Sequence, residues 1–312
     1  MHLLITGANG FVGRNVCLVA NRQGFLLTAL SRHRDSHSTC AVANRIFADI
    51  ETFVRLPFRG PPPDAIIHLA ARAHETIRPT SAALSAFRSV NRDATLSLAQ
   101  WAACSGVRRF VYVSSIGVNG NLTHPGLPIN ELSPAAPHEA YAISKHEAEI
   151  GLQGIASKTG LEVCIVRPPL VYGPGAPGNF RRLVRLVRAR IPLPFGAVDN
   201  RRSFIYVENL ADALIRCATH PAAANKTFVI CDETVSTPQL LRMMAAAMDI
   251  PMRLFSIPMP VLRFPFVLTG RAHVLDKLTC NLEVDDSYIR RTLAWRPQFS
   301  MKEALTRTFS SW

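Results

Sequence analysis

Short runs of apolar residues alternate along the chain with longer stretches in which apolar positions recur every three or four residues. Leu3-Leu4-Ile5-Thr6 is such a run, closed by a glycine turn and followed by Phe11 to Ala20 at helical spacing. Phe25 to Leu30, Ala65 to Leu69, Phe110 to Ser114, Val163 to Val166 and Ser203 to Val207 are predicted as further strands. Ala82 to Cys104 and Glu139 to Ala156 carry helical periodicity. Strands that are apolar throughout, alternating with helices, predict an α/β fold with a parallel sheet covered on both faces.

After Val166 the texture changes. Arg167 to Asn179 holds four prolines and three glycines, and an arginine-rich helix is predicted from Phe180 to Arg190. From Ser236 onward come two more helical stretches and a proline-broken apolar segment. These features predict a sheet domain of residues 1–166 plus about 200–232, and a smaller, mostly helical lobe of about 167–199 plus 233–312. Such a lobe belongs near the carboxyl ends of the strands, where ligands bind in sheets of this kind.

Composition narrows the class. With 312 residues, 48% of them hydrophobic and 18% charged, the chain can bury a sizeable core, which excludes disorder, a collagen-like repeat and a disulfide miniprotein. The most membrane-like stretch, Ile250 to Leu268, is interrupted by Arg253, Arg263 and four prolines, so no membrane span is expected. A strand that begins at once leaves no room for a signal peptide, and seven scattered cysteines without a C-x-x-C pair suit a reducing, cytoplasmic location.

The charge is lopsided: 35 basic against 22 acidic residues, net +13. All but five of the basic residues are arginine, which suits forked recognition of phosphate and carboxylate. The arginines are spread along the chain without a nucleic-acid-binding motif, so phosphorylated small molecules are the expected partners and nucleic acid is not. No metal site is expected.

Gly7, Gly10 and Gly13 stand three apart between a strand and a helix, within Thr6-Gly7-Ala8-Asn9-Gly10-Phe11-Val12-Gly13. Residues without Cβ atoms let the backbone turn tightly and approach a pyrophosphate at a helix N-terminus. The fold class is therefore a Rossmann-type doubly wound parallel sheet with the smaller lobe as substrate-binding element. An NAD site wants an acid about 20 residues beyond the glycines. Here the second strand ends Leu30-Ser31-Arg32, and no acid occurs before Asp35. Ser31 and Arg32, with Arg34 behind, favour NADP(H) through its 2′-phosphate; NAD(H) held by backbone contacts is the alternative. Asp49-Ile50 is placed to border the adenine, and Leu69, Ala70 and Ala71 are small enough to let a cofactor pass. His68 is expected to be a core histidine.

Tyr141 and Lys145 lie one turn apart on one helix face. A Tyr-x-x-x-Lys spacing arises by chance in about one chain in twelve of this composition, so it does not carry an assignment alone. Ser114-Ser115 adds weight, because the end of the fifth strand reaches the same crevice. A tyrosine is a poor acid or base near neutral pH until a cation favours its phenolate, and Lys145 is expected to supply that cation while also holding the nicotinamide ribose. Ser115 would hydrogen-bond the substrate oxygen, and the hydride chemistry would belong to the nicotinamide.

With these residues together, the chain resembles the extended short-chain dehydrogenase/reductases that act on nucleotide-sugars. Arg167-Pro-Pro-Leu-Val-Tyr-Gly173, Arg202-Ser-Phe-Ile-Tyr-Val207 and Leu293-Ala-Trp-Arg-Pro297 extend the likeness over essentially the whole length. The resemblance implies that Ser115, Tyr141 and Lys145 are catalytic, with Asn91 supporting the relay through water. It implies cofactor contacts from Gly7, Asn9, Gly10, Phe11, Val12, Gly13, Pro168 and Val171. It also implies a nucleotide diphosphate held by Asn179, Phe180, Leu193 and Phe195 on the nucleobase side and by Arg202 and Arg271 at the phosphates. A homodimer formed by helices around 83–104 and 138–158 is usual for the family.

Departures from the family pattern select among activities. The 4,6-dehydratases carry Thr-Asp-Glu where Ser115-Ile116-Gly117 stands, and Ile and Gly cannot eliminate water. Many 4-epimerases have asparagine at the place of Leu170 and tyrosine at that of Asn119, and an upstream Arg-Pro-Gly-Asp segment is not recognisable. Ser114-Ser-Ile-Gly-Val-Asn-Gly120 and Arg167-Pro-Pro-Leu-Val-Tyr-Gly-Pro-Gly175 resemble the branch that reduces 4-keto-6-deoxy nucleotide-sugars. That resemblance implies NADPH-dependent reduction of the C4 keto group of a UDP-linked 4-keto-6-deoxy, 2-acetamido sugar for surface polysaccharide. An NAD-dependent UDP-hexose 4-epimerase is the alternative. A redox-sensing NADP-binding protein is disfavoured, because a sensor has no need of a proton donor.

Overall fold

The computed structural model describes residues 1–33, 42, 44–57, 60–73, 81–270 and 272–310. Strands β1 (His2–Thr6), β2 (Leu26–Ser31) and β3 (Asn44–Phe47) alternate with helices α1 (Phe11–Arg22) and α2 (Ile50–Arg55). Then come β4 (Ala65–His68), helices α3 (Ser81–Arg88) and α4 (Ala94–Cys104), β5 (Arg109–Val113), α5 (Ala140–Thr159) and β6 (Glu162–Arg167). The second half holds β7 (Leu170–Tyr172), α6 (Gly178–Arg188), β8 (Arg202–Tyr206), α7 (Val207–Thr219), β9 (Thr227–Val229) and β10 (Glu233–Val235). It closes with α8 (Thr237–Ala247), α9 (Met259–Leu268), α10 (Ala272–Thr279), α11 (Ser287–Leu293) and α12 (Met301–Ser310).

Among the described residues a seven-stranded sheet runs in the order β3-β2-β1-β4-β5-β6-β9, every pair parallel. This is the expected doubly wound α/β architecture. Leu3, Leu4 and Ile5 of β1 are fully buried, because one face meets α1 and α7 and the other meets the core that α4 and α5 cover. The order reverses between β1 and β4, which opens a crevice at their carboxyl ends.

Two expectations need correction. Residues 200–232 were expected to return to this sheet, and only β9 does; β8 joins a separate sheet, parallel to β7 and antiparallel to β10. Ser203 in β8 is held there by Thr234 Oγ1 at 2.7 Å and the Val284 amide at 2.9 Å, partners no local pattern announces. The stretch from Ala82 to Cys104 is also not one regular helix. A π turn over Ser89–Asp93 joins α3 to α4, and it turns Asn91 inward.

The second sheet packs with α6 and α8 around a separate core that includes Tyr172, Phe180, Leu193, Phe195 and Tyr206. Val12 and Val171 touch both this core and the core of the main sheet, joining the two bodies. Among the described residues no helix is long and apolar enough to cross a membrane, and no group of side chains could hold a metal ion.

Candidate active site

Gly7 closes β1 in the left-handed region, at φ +66°, and a Cβ there would stand 2.8 Å from the Ala70 amide nitrogen. A Cβ on Gly13 would stand 2.2 Å from the Gly7 carbonyl oxygen. The turn closes with the Gly10 amide donating to Gly7 O at 2.9 Å, and α1 starts on Gly10 with no side-chain cap. Its first amides are thus left to whatever occupies the crevice.

Beside this loop lies a cavity of about 490 Å³ whose lining includes Gly7, Asn9, Gly10, Ser31 and Arg32, then Asp49, Ile50, Leu69, Ala70 and Ala71. The tight glycine cradle and the lining that joins it to the ends of β2 and β4 fit a dinucleotide. The side chain of Arg32 is exposed at the end of β2, whereas Ser31 is nearly buried. Asp49 accepts from the Thr52 amide at 2.7 Å to cap α2, and that bond holds its carboxyl below the usual range. Glu51, Ser89, Val90 and Ala94 also line the cavity and were not read from the sequence. Ser89 and Val90 lie in the π turn and Ala94 follows it at the start of α4; the helical pattern carries no signal for that turn. Phe11, Val12 and Val171, expected at the cofactor, pack partly buried against the cores. Arg34 lies outside the described residues.

Ser115 opens a short 3-10 turn and its Oγ accepts from the Gly117 amide at 3.1 Å. The turn is tied to the end of β6 by the Ile116 amide, which donates to Pro168 O at 3.0 Å. Gly117 lies between Ser115 and the start of α5: a Cβ there would be 3.4 Å from Ser115 Oγ and 3.6 Å from Ala142 Cβ. Tyr141 stands on that same first turn of α5, edge-on to Phe87 with ring centroids 6.2 Å apart.

Lys145 is buried, and its Nζ donates to Val113 O at 2.8 Å. It also lies 4.5 Å from the Tyr112 ring centroid and 5.9 Å from that of Tyr141. The expectation that Lys145 lowers the Tyr141 pKa is not met. Burial pushes Tyr141 up to about 12 and Lys145 down to about 7. Tyr141 is therefore protonated at neutral pH, a state that suits a proton donor. Ser114 Oγ is buried and has no hydrogen-bond partner among the described residues.

Asn91 is fully buried in the π turn. Its Oδ1 accepts from the Arg72 amide at 2.8 Å, and its Nδ2 donates to Arg72 O at 3.1 Å and Ser144 Oγ at 3.0 Å. The Ser144 hydroxyl in turn donates to Tyr141 O at 2.7 Å. Asn91 thus braces the helix that carries Tyr141 and Lys145.

The residues expected on the substrate side divide. Phe180, Leu193 and Phe195 are buried in the core of the second body, 1%, 4% and 7% exposed. Asn179 is exposed at the start of α6. Arg202 is partly buried and donates to Cys280 O at 2.9 Å, and burial lowers its pKa. Arg271 lies outside the described residues.

The glycine cradle, the sheet order and the crevice define a dinucleotide-binding enzyme of the extended short-chain dehydrogenase/reductase class. The chain belongs to the NAD dependent epimerase/dehydratase family, whose sequence profile matches residues 3–231. It is 36% identical to the UDP-glucose 4-epimerase of Vibrio cholerae, over 98% of this chain and 94% of that protein. It is 24% identical to the GDP-6-deoxy-D-mannose reductase of Pseudomonas aeruginosa, over 99% and 96% of the two chains. The structure of RMD from Pseudomonas aeruginosa complexed with NADPH superposes with a TM-score of 0.76 at 22% identity, covering 100% of this chain and 99% of that one.

Proposed function

We propose that the protein uses NADPH to reduce the C4 keto group of a UDP-linked 4-keto-6-deoxy, 2-acetamido sugar in surface-polysaccharide precursor synthesis. The observation that carries this reading is the cavity end at Ser31 and Arg32, where β2 finishes without an acid and a guanidinium stands exposed. A 2′-phosphate suits that end better than a free ribose hydroxyl.

The dinucleotide would be held by the Gly7–Gly13 loop, Asn9, and the small residues Leu69 to Ala71. When bound, its nicotinamide supplies the hydride. Ser115 would donate a hydrogen bond to the sugar's C4 oxygen, and Tyr141, kept protonated by burial, would give that oxygen its proton. Lys145 would hold the nicotinamide ribose, and Asn91 keeps its helix in place. Asn179 and Arg271, in the lobe of about 167–199 and 233–312, and Arg202, at the start of β8, are assigned to the nucleotide diphosphate. A cytoplasmic homodimer through α4 and α5 completes the reading, and Ile150, 57% exposed on α5, supports such a contact.

A second reading, an NAD-dependent UDP-hexose 4-epimerase, is favoured by the 36% identity to a protein of that name over almost the whole chain. The two separate on cofactor release, since a reductase exchanges its dinucleotide every cycle and an epimerase keeps it. Purified protein should carry little nucleotide and consume NADPH stoichiometrically with a UDP-4-keto-6-deoxy sugar. Arrival with tightly held NAD, together with interconversion of UDP-glucose and UDP-galactose, would establish the epimerase instead.

A further inference from the structure

We propose that the exposed face of α9 is a docking element that lays the protein on an anionic lipid surface. The helix buries only Leu262 among its ten residues. Val261, Phe264, Pro265 and Leu268 recur at the spacing of a single helix stripe, and all four face solvent. Val261 is 61% exposed, Phe264 64% and Leu268 71%. Phe255, four residues before the helix, is 46% exposed. Isolated exposed apolar residues are ordinary on a protein surface, but a run of large ones along one stripe marks an interaction site.

Charge selects the occupant. Residues 250–270 contain Arg253 and Arg263 and no acid, and residues 168–198 contain five arginines and no acid. The two segments are joined side by side, the Leu193 amide donating to Arg253 O at 3.0 Å and the Phe255 amide to Leu193 O at 3.1 Å. Arg263, within α9, is ion-paired to Asp276 yet 53% exposed. An apolar stripe set among arginines is what the headgroup region of an anionic bilayer accepts, with the rings below the headgroups and the guanidinium groups among the phosphates. A second copy of the chain is the poorer occupant. A two-fold contact sets each patch against itself, arginine facing arginine, on a protein of net charge +13. At ten residues α9 is too short to cross a bilayer, so the contact lies in the membrane plane. This inference does not depend on which sugar nucleotide the enzyme takes.

The test is flotation with phosphatidylcholine vesicles with and without phosphatidylglycerol. The protein should float with the anionic vesicles only, and high salt should release it. Joint replacement Val261→Ser, Phe264→Ser and Leu268→Ser should weaken flotation by about tenfold or more, with turnover of soluble substrate unchanged. In a separate Phe264→Trp variant the indole emission should shift to the blue on adding anionic vesicles. Wild-type protein that stays out of the vesicle fraction, a triple variant that floats equally well, or an unshifted indole would each overturn the proposal. So would sedimentation showing that the triple variant turns a dimer into a monomer, because the stripe would then be covered by a second copy.

Discussion

His68 donates its Nε2–H to Thr95 Oγ1 at 2.9 Å, and the direction of that bond is forced by its neighbours. Thr6 Oγ1 accepts from the amides of Leu69 and Ala70, so its own proton goes to His68 Nδ1 at 2.7 Å. Thr95 gives its proton to Asn91 O at 2.8 Å, so its oxygen is left to accept from the imidazole. One neutral histidine therefore connects the strand before the glycine loop to the π turn that braces Tyr141. Burial depresses its pKa to about 3, which keeps it neutral, and the two hydroxyl bonds fix its tautomer.

That connection has a pH signature. The unfolded chain takes up a proton on His68 below about 6.5, while the folded protein does not until about pH 3. Folding stability should fall as pH drops through that window, by up to about 1.4 kcal/mol per pH unit from this group. A His68→Gln variant should be less stable at pH 8 but lose less on acidification. Urea unfolding at pH 8, 6 and 5 reads the difference, and parallel curves would show that His68 is not the group responsible.

Gly13→Ala places a methyl group where the Gly7 carbonyl oxygen already stands, 2.2 Å from the added carbon. Either the loop or α1 must move. The expected cost is on the order of 2–4 kcal/mol, with dinucleotide affinity reduced by more than tenfold. Thermal unfolding and a fluorescence titration with NADPH measure the two effects separately. Gly24→Ala, where an added Cβ meets nothing within 4 Å but φ is +78°, is the control for backbone strain alone.

Replacing Arg32 with Asp should reverse the cofactor preference, because it exchanges a phosphate-binding cation for a ribose-binding acid at the end of β2. Wild-type protein should bind NADPH more tightly than NADH, and the variant the opposite. Equal affinity of the wild type for both would remove Arg32 from the 2′-phosphate.

Tyr141→Phe should lower kcat by roughly 10²–10⁴ while leaving NADPH binding nearly intact, since only the transferred proton is lost. Lys145→Ala should reduce both. Retention of most of the turnover by Tyr141→Phe would assign the proton to another group.

What could be read from the chain alone was what short-range geometry dictates. The cradle at Gly7, Gly10 and Gly13 needs only a strand, a turn and a helix in immediate succession. Tyr141 and Lys145 share a face because four residues make about one helical turn. The end of β2 announced its missing acid for the same reason. The tertiary structure decided whatever depends on partners far along the chain. It put β8 in a second sheet through Thr234 and residues near 284, and it bent the helix around Asn91 through the backbone of Arg72. It buried Leu193 and Phe195 in a core when the same apolar side chains could equally have lined a cleft. It also set the direction of the Tyr141 pKa, because the loss of water around a phenol depends on every element packed against it.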